Sequence, residues 1–259
     1  MKLYELENRL RQYRGQINAD EGIVYGDPAA EVKGVLVCWM GTLAAVRRAG
    51  EVGANTILSH EAIFFPYPGI RAGVPPTDHL SWCCNRQRIE ALAAAGINVI
   101  RLHGTMDRLH IFDQFPVALG FPEPVLREDL IRIYEFPATT VREMVRRVKE
   151  RLKLDYVRVS NCDLDRPVRR VALPLGGLSL FVNVGGLAHL ARYSPDLFIA
   201  GETDEYALQF AIDAGIPLIE TSHAVSENPG VRIFADRLAG DIKPIPVTCY
   251  QNDRAWMVV

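Results

Sequence analysis

The stretch whose reading decides this fold is Thr56-Ile57-Leu58-Ser59-His60-Glu61-Ala62-Ile63-Phe64-Phe65. Its apolar run from Thr56 to Leu58 reads as a buried strand, and the run stops at two adjacent residues of metal-ligand type, His60 and Glu61. Open α/β sheets carry their chemistry at the C-terminal ends of strands. Neighbouring residues in an extended chain point opposite ways, so the pair can share one ion only where the backbone turns; otherwise it can serve two ions side by side. On its own, such a pair is most simply a buried histidine beside a solvated glutamate.

The flanking sequence repeats the same rhythm. Val35 to Met40 is a continuous apolar run, as expected of a strand covered on both faces. Leu43 to Val52 reads as a helix stopped by Gly53. Upstream, Leu3 to Tyr13 is an amphipathic helix followed by a turn-rich loop with Gly22, Gly26, Asp27 and Pro28. After a Pro- and Gly-rich loop from Pro66 to Pro76, Asp78 to Ala95 reads as one long helix closed by Gly96, and Ile97 to Leu102 as a strand. That strand delivers His103-Gly104-Thr105-Met106-Asp107 to a second strand end, which can face His60.

Phe115 to Pro124, with Pro116, Gly120, Pro122 and Pro124, reads as a loop and a joint in the architecture. Beyond it strands are expected at Leu130–Phe136, Tyr156–Ser160, Val168–Leu173, Leu197–Ala200, Ile216–Thr221 and Pro244–Tyr250. Helices are expected at Thr139–Leu154, Leu187–Tyr193, Asp204–Ala214 and Val231–Leu238. Gly176-Gly177 and Gly185-Gly186 precede a helix but lack dinucleotide or P-loop spacing, so they read as ordinary turns. The expected class is α/β: two related lobes, 1–125 and 126–259, with mixed or parallel sheets flanked by helices and a metal site between the lobes. No repeat of fixed period is visible.

The Ile216 strand ends at Ser222-His223-Ala224-Val225-Ser226-Glu227. If a helical turn begins there, His223 and Glu227 at i, i+4 lie on one face and can bind one metal. Asn228-Pro229, as N-cap and first helical residue, would start the helix later. The six histidines of the chain are His60, His79, His103, His110, His189 and His223. Half of them therefore occupy three strand ends, each with a carboxylate nearby. Imidazole plus carboxylate without thiolate suits zinc, iron, manganese or another divalent ion.

Composition narrows the rest. Of 259 residues 49% are hydrophobic and 23% charged, which is ordinary for a soluble globular protein. With 29 basic and 31 acidic residues the net charge is -2, so the bulk balance steers toward neither nucleic acid nor anionic membrane. The basic run of VREMVRRVKERLK, Arg142 to Lys153, reads as the wet face of an amphipathic helix. Five cysteines without a C-x-x-C pairing indicate neither a disulfide framework nor a zinc knuckle. No run approaches the ~18 apolar residues of a membrane span, and the N-terminus lacks a signal-peptide core. The cytoplasm is the expected compartment.

In order and spacing, ILSHEAIFF, LHGTMD and TSHAVSE resemble the Nif-three-like family of dinuclear-metal proteins, also known as type-two GTP cyclohydrolases. That family carries a strand ending in His-His-Pro-Leu-Ile-Phe, a His-Thr-Asn-Leu-Asp segment and a late Gly-His-Tyr-Ala-Thr-Glu segment. Asp196-Leu-Phe-Ile-Ala-Gly-Glu202 is similar to its Asp-x-x-x-Thr-Gly-Glu strand end. The likeness runs from about Glu21 to the C-terminus. It implies metal ligands at His60, Asp107, His223 and Glu227, with Glu61 at the position of the second histidine of the family's pair. It implies for His103 a place beside the metals, moving a proton, and for the whole protein a toroidal hexamer with sites facing an interior cavity. The chain departs from the family at Glu61, a harder ligand than imidazole, and near Met40, where the family has an aspartate.

The resulting expectation is a metal-dependent hydrolase with a dinuclear centre, two divalent ions per chain if Glu61 is a ligand, acting on a small molecule that can be nucleotide-like. A membrane or nucleic-acid partner is not expected. The alternative is a metal-binding or regulatory oligomeric scaffold without turnover, which the Glu61 and Met40 departures favour.

Overall fold

The computed structural model describes residues 1–66, 77–129 and 131–259. Most of the loop expected at Pro66–Pro76, and Leu130, lie outside the described residues. The chain divides into two compact units, one of residues 1–110 and 230–252, the other of residues 111–229 and 253–259.

The first unit opens with α1 (Leu3–Gln12), whose Leu3, Leu6 and Leu10 are buried. Strand β1 (Gly22–Tyr25) and strand β2 (Val35–Cys38) follow, then α2 (Leu43–Glu51), whose N-cap Thr42 accepts from the Ala45 N–H at 3.2 Å. Next come β3 (Thr56–Ser59), α3 (Cys83–Ala95), β4 (Asn98–Arg101) and the single turn α4 (Gly104–Met106). The long helix expected from Asp78 is in fact broken. A 3-10 turn, His79–Ser81, is separated from α3 by Trp82 in extended backbone. The Asn85 side chain explains the break: its amide donates to the carbonyls of His79 at 2.7 Å and Phe65 at 2.6 Å and accepts from the Phe65 N–H at 2.8 Å, tying the turn down as a separate piece. Helix α3 does end at Gly96, with φ 61°.

In the second unit, α5 (Phe112–Ala118) corrects the loop expected at Phe115–Pro124. Burial of Phe112, Phe115 and Pro116 holds a helix there despite the proline, and the irregular chain begins only after Ala118. Then follow β5 (Leu126–Glu128), β6 (Ile131–Thr140), α6 (Val141–Leu152), β7 (Arg158–Val159), β8 (Pro167–Ala172), α7 (Val184–Ala191), β9 (Leu197–Ala200), α8 (Glu205–Asp213), β10 (Leu218–Glu220) and α9 (His223–Asp241). Helix α6 starts on a capping box: Thr140 Oγ1 accepts from the Glu143 N–H at 3.2 Å while the Glu143 carboxylate accepts from the Thr140 N–H at 3.0 Å. Helix α9 is counted in the second unit through Pro229 and in the first from Gly230, and the first unit closes with β11 (Val247–Tyr250).

Among the described residues the strands form two sheets, β1-β4-β3-β2-β11 in the first unit and β5-β6-β8-β9-β10-β7 in the second. In the first, β11, β2, β3 and β4 are parallel and β1 runs antiparallel at the edge. In the second, β8, β9 and β10 are parallel and flanked by antiparallel neighbours. Strands β2, β3, β4, β9 and β10 are buried along their whole length, the behaviour of parallel strands with both faces covered. One core cluster gathers Leu36, Val46, Ile57, Leu92 and Val99, and another gathers Ile133, Leu187, Phe198, Ala207 and Leu218. Among the described residues no helix is long and apolar enough to cross a membrane.

The second sheet buries a carboxylic acid, Glu220, at the end of β10. Burial pushes its carboxyl up to about 7, against the opposing pull of the Arg158 guanidinium 2.9 Å away. Because the folded value is raised, the native state holds this proton more tightly than the unfolded chain, so Glu220 favours folding at acid pH and that contribution is lost as pH rises from about 4.5 through 7. Native protein should therefore lose up to about 3 kcal/mol relative to Glu220→Gln between pH 4.5 and 8. Denaturant unfolding of both proteins across that range checks this, and parallel pH profiles would refute it.

Candidate metal centre

Parallel register places the first set of side chains. In the β3–β4 ladder Ser59 pairs with Arg101, and the ladder continues past both strands with the Leu102 N–H donating to Ser59 O at 2.9 Å. The ladder thus sets His60 level with Leu102 and Glu61 level with His103 at adjacent strand ends, and the rings of His60 and His103 stack with centroids 4.6 Å apart.

The backbone does turn at the pair. Residues His60 and Glu61 form a bend, held by the His60 N–H donating to Cys38 O at 3.0 Å and the Glu61 N–H donating to Trp39 O at 2.6 Å. Ser59 Oγ donates to Glu61 O at 2.6 Å and accepts from the Gly41 N–H at 3.1 Å, fixing the corner from inside. With the chain bent, His60, Glu61 and His103 each offer one ligand atom, and the three atoms lie within 4.8 Å of one another. His60 and Glu61 are buried and His103 is half-buried. This group can hold a metal ion. Its imidazole and carboxylate donors, without a thiolate, fit a divalent cation.

Asp107 joins the same set. The single turn α4 is closed by the Asp107 N–H donating to His103 O at 3.1 Å, which puts His103 and Asp107 on one face. Asp107 Oδ1 is 3.6 Å from His60 Nε2 and its Oδ2 is 3.9 Å from His103 Nδ1, while His103 Nε2 is 3.6 Å from Glu61 Oε1. The segment is anchored by Glu21, to which sequence reasoning assigned no role. Its carboxylate accepts from the Thr105 N–H and from Thr105 Oγ1, both at 2.8 Å, and from the Asn18 N–H at 2.6 Å. Glu21 and Thr105 lie 84 residues apart in sequence, and no local pattern pairs them.

The second set lies in the other unit. Helix α9 begins at His223, not after Asn228-Pro229. Ser222 turns the chain at φ 102°, the Ser226 N–H donates to Ser222 O at 3.1 Å, and Ser226 Oγ donates to His223 O at 2.8 Å, so the first turn is complete before the proline is reached. His223 and Glu227 consequently share a face, with Nε2 3.3 Å from Glu227 Oε2. The other ring nitrogen, Nδ1, is 2.9 Å from Glu202 Oε2. Glu202 sits at the end of the Asp196–Glu202 motif, but nothing local pairs it with a histidine 21 residues later.

Two glycines make this corner possible. A Cβ on Gly176, which has φ 59°, would collide with Glu227 Oε1, and one on Gly201 would collide with the Gly176 backbone and, at 2.6 Å, with Ser226 Oγ. Ser226 Oγ also accepts from the Gly176 N–H at 3.0 Å. The Gly176-Gly177 pair is thus a close approach of backbone to the His223–Glu227 turn, whereas Gly185 and Gly186 lie within the first turn of α7.

Comparison with known proteins agrees with this arrangement of strands. A family model described as Duf34/NIF3 (NGG1p interacting factor 3) matches residues 3–254. The chain is 23% identical over 248 residues to a GTP cyclohydrolase 1 type 2 homolog of Clostridium acetobutylicum, covering 90% of this chain and 87% of that protein. Among solved structures it is similar in fold to a Bacillus cereus protein related to NIF3, with a TM-score of 0.79, 16% identity and coverage of 100% of this chain and 99% of the other. A Staphylococcus aureus hypothetical protein gives a TM-score of 0.77 at 18% identity, covering 100% and 99% of the two chains.

The two backbone constraints make opposite forecasts. Ser222 occupies a positive-φ conformation that costs a side-chain-bearing residue on the order of 1–3 kcal/mol, so Ser222→Gly should raise the unfolding free energy by about 1 kcal/mol. Gly176→Ala should lower it by about 1–3 kcal/mol, through strain and the clash with Glu227. Thermal unfolding of both variants checks the pair; equal and unchanged midpoints would sink the strain argument.

Proposed function

The chain belongs to the Duf34/NIF3 (NGG1p interacting factor 3) family, and on that premise we propose that it is a divalent-metal-binding protein that hydrolyses a small-molecule substrate. The observation that carries the reading is the convergence of His60, Glu61 and His103, two of them buried, with ligand atoms within 4.8 Å of one another. In this reading His60, Glu61 and Asp107, together with His223 and Glu227, hold the two ions of a dinuclear centre of the kind the family resemblance implies. The metal is zinc, iron or manganese, and the carboxylate at Glu61 tilts the set toward the harder ions.

When bound, such ions lower the pKa of a coordinated water toward neutrality and polarise the bond under attack. The protein's own part is to hold its donors in place and to move the proton. His103 suits the proton transfer, because its ring stacks on His60, reaches Glu61 and Asp107 through different nitrogens and keeps partial access to solvent. Glu21 supports that role by clamping Thr105, two residues along the chain. The name of the Clostridium relative brings purine nucleotides into the substrate screen. A homo-oligomer, a hexamer by resemblance, working in the cytoplasm completes the proposal.

Glu61 also favours a second reading, a metal-binding scaffold without turnover, because the residue replaces a histidine of the family's motif. The two readings separate in one set of measurements. Metal analysis of purified protein should find up to two ions per chain, with His60→Ala and His223→Ala each depleted; unchanged metal in both variants would falsify the metal reading. A hydrolysis screen with added manganese, zinc or iron should show repeated turnover in native protein and a drop of about 100-fold or more in His103→Ala. Full metal occupancy without turnover would leave the scaffold.

A further inference from the structure

We propose that Glu202 is a positioning residue for His223: it holds the imidazole as the Nδ1–H tautomer, so that Nε2, the nitrogen beside Glu227, is the one offered to a metal ion. The inference rests on the reading of His223 as a metal ligand, and it adds a residue outside the proposed ligand set.

The argument starts from the two edges of the ring. Nδ1 lies 2.9 Å from Glu202 Oε2, a hydrogen-bond distance, and Nε2 lies 3.3 Å from Glu227 Oε2. Both ring nitrogens face a carboxylate oxygen, and the shorter contact, at Nδ1, makes Glu202 the stronger acceptor, which favours the proton on that nitrogen in the neutral ring. In a neutral imidazole the lone pair then resides on Nε2, the form in which histidine ligates a metal. Glu202 and Glu227 engage different nitrogens, so an ion taken by Nε2 lies on the edge served by Glu227, and Glu202 acts through the ring. Carboxylate–histidine pairs of this kind fix ring orientation and raise the basicity of the ligating nitrogen.

The backbone of Glu202 is held on both sides. Its N–H donates to Gly176 O at 2.8 Å, its carbonyl accepts from Ser179 Oγ, and the following Thr203 is buried and bridged to Ser179. The carboxylate therefore projects from a fixed point, while the side chain itself is 47% exposed. A substitution at Glu202 can remove the carboxylate without emptying a core position.

The test uses the full chain and the variants Glu202→Ala and Glu202→Gln. Long-range nitrogen–proton NMR on the metal-free proteins, above the pH of imidazole protonation, reads the His223 tautomer; calorimetric titration with Mn²⁺ and with Zn²⁺ reads affinity; thermal melts confirm the fold. Native protein should show Nδ1–H, and Glu202→Ala should populate Nε2–H and bind metal about 10- to 100-fold more weakly. Glu202→Gln, whose side-chain carbonyl still accepts from Nδ1, should restore the tautomer and most of the affinity. An unaltered tautomer in Glu202→Ala, or a failure of Glu202→Gln to rescue, overturns the proposal, the latter by leaving only an ion pair. If native protein takes up neither metal, the ligand reading of His223 falls, and the tautomer comparison alone decides whether Glu202 holds the ring.

Discussion

The register of two neighbouring parallel strands is the constraint on which the candidate centre depends. Parallel strands start and stop in step when their ladder is regular, and the pairing of Ser59 with Arg101 brings β3 and β4 to a common end. His60 and His103 become neighbours through that ladder, although 43 positions separate them in sequence. A slip of one residue on either strand would carry its strand-end donors out of step with those of the other. The bend at His60 and Glu61 then adds a second donor from the same strand, so three ligand atoms arise from two strand ends.

The second unit uses the same device with different residues. Strands β9 and β10 pair Ala200 with Glu220, and the ladder carries on as the Thr221 N–H donates to Ala200 O at 3.0 Å and the Ser222 N–H to Gly201 O at 2.7 Å. Glu202 and His223 are the next residues along each chain, and they meet as carboxylate and imidazole. In both units an ordered ladder supplies the placement and a local distortion supplies the aim: the bend held by Ser59 in one, the positive-φ Ser222 in the other. Distortions of that kind survive only where surrounding bonds over-determine them.

What could be read from the residues follows from how local the causes are. Val35–Cys38 and Thr56–Ser59 are plain strands because burial on both faces leaves a continuous apolar run, and Gly96 marks its helix end because only a left-handed residue closes it there. The histidines at strand ends were visible for the same reason. The break at Trp82 was not, since it depends on Asn85 reaching across to Phe65. Helix α5 was hidden by Pro116, whose burial outweighs its cost to the helix. At α9 the pair Asn228-Pro229 imitates a helix start, while the actual start is made by Ser222 and Ser226. Glu21 and Glu202 escaped because each works on a partner brought near by the fold.

The position of β11 bears on how the chain comes to be folded. It pairs with β2 along Val35–Cys38, and the stretch Gly230–Asn252 belongs to the same compact unit as the first 110 residues. During synthesis the first unit therefore waits for a segment made after nearly all of the second. Until then the fully apolar β2, Val-Leu-Val-Cys, has one open edge, the kind of surface on which strands of other chains can add. The second unit can close most of its sheet earlier, since β5 through β10 are contiguous in the chain. The part of the molecule translated first is thus the one whose sheet is finished last.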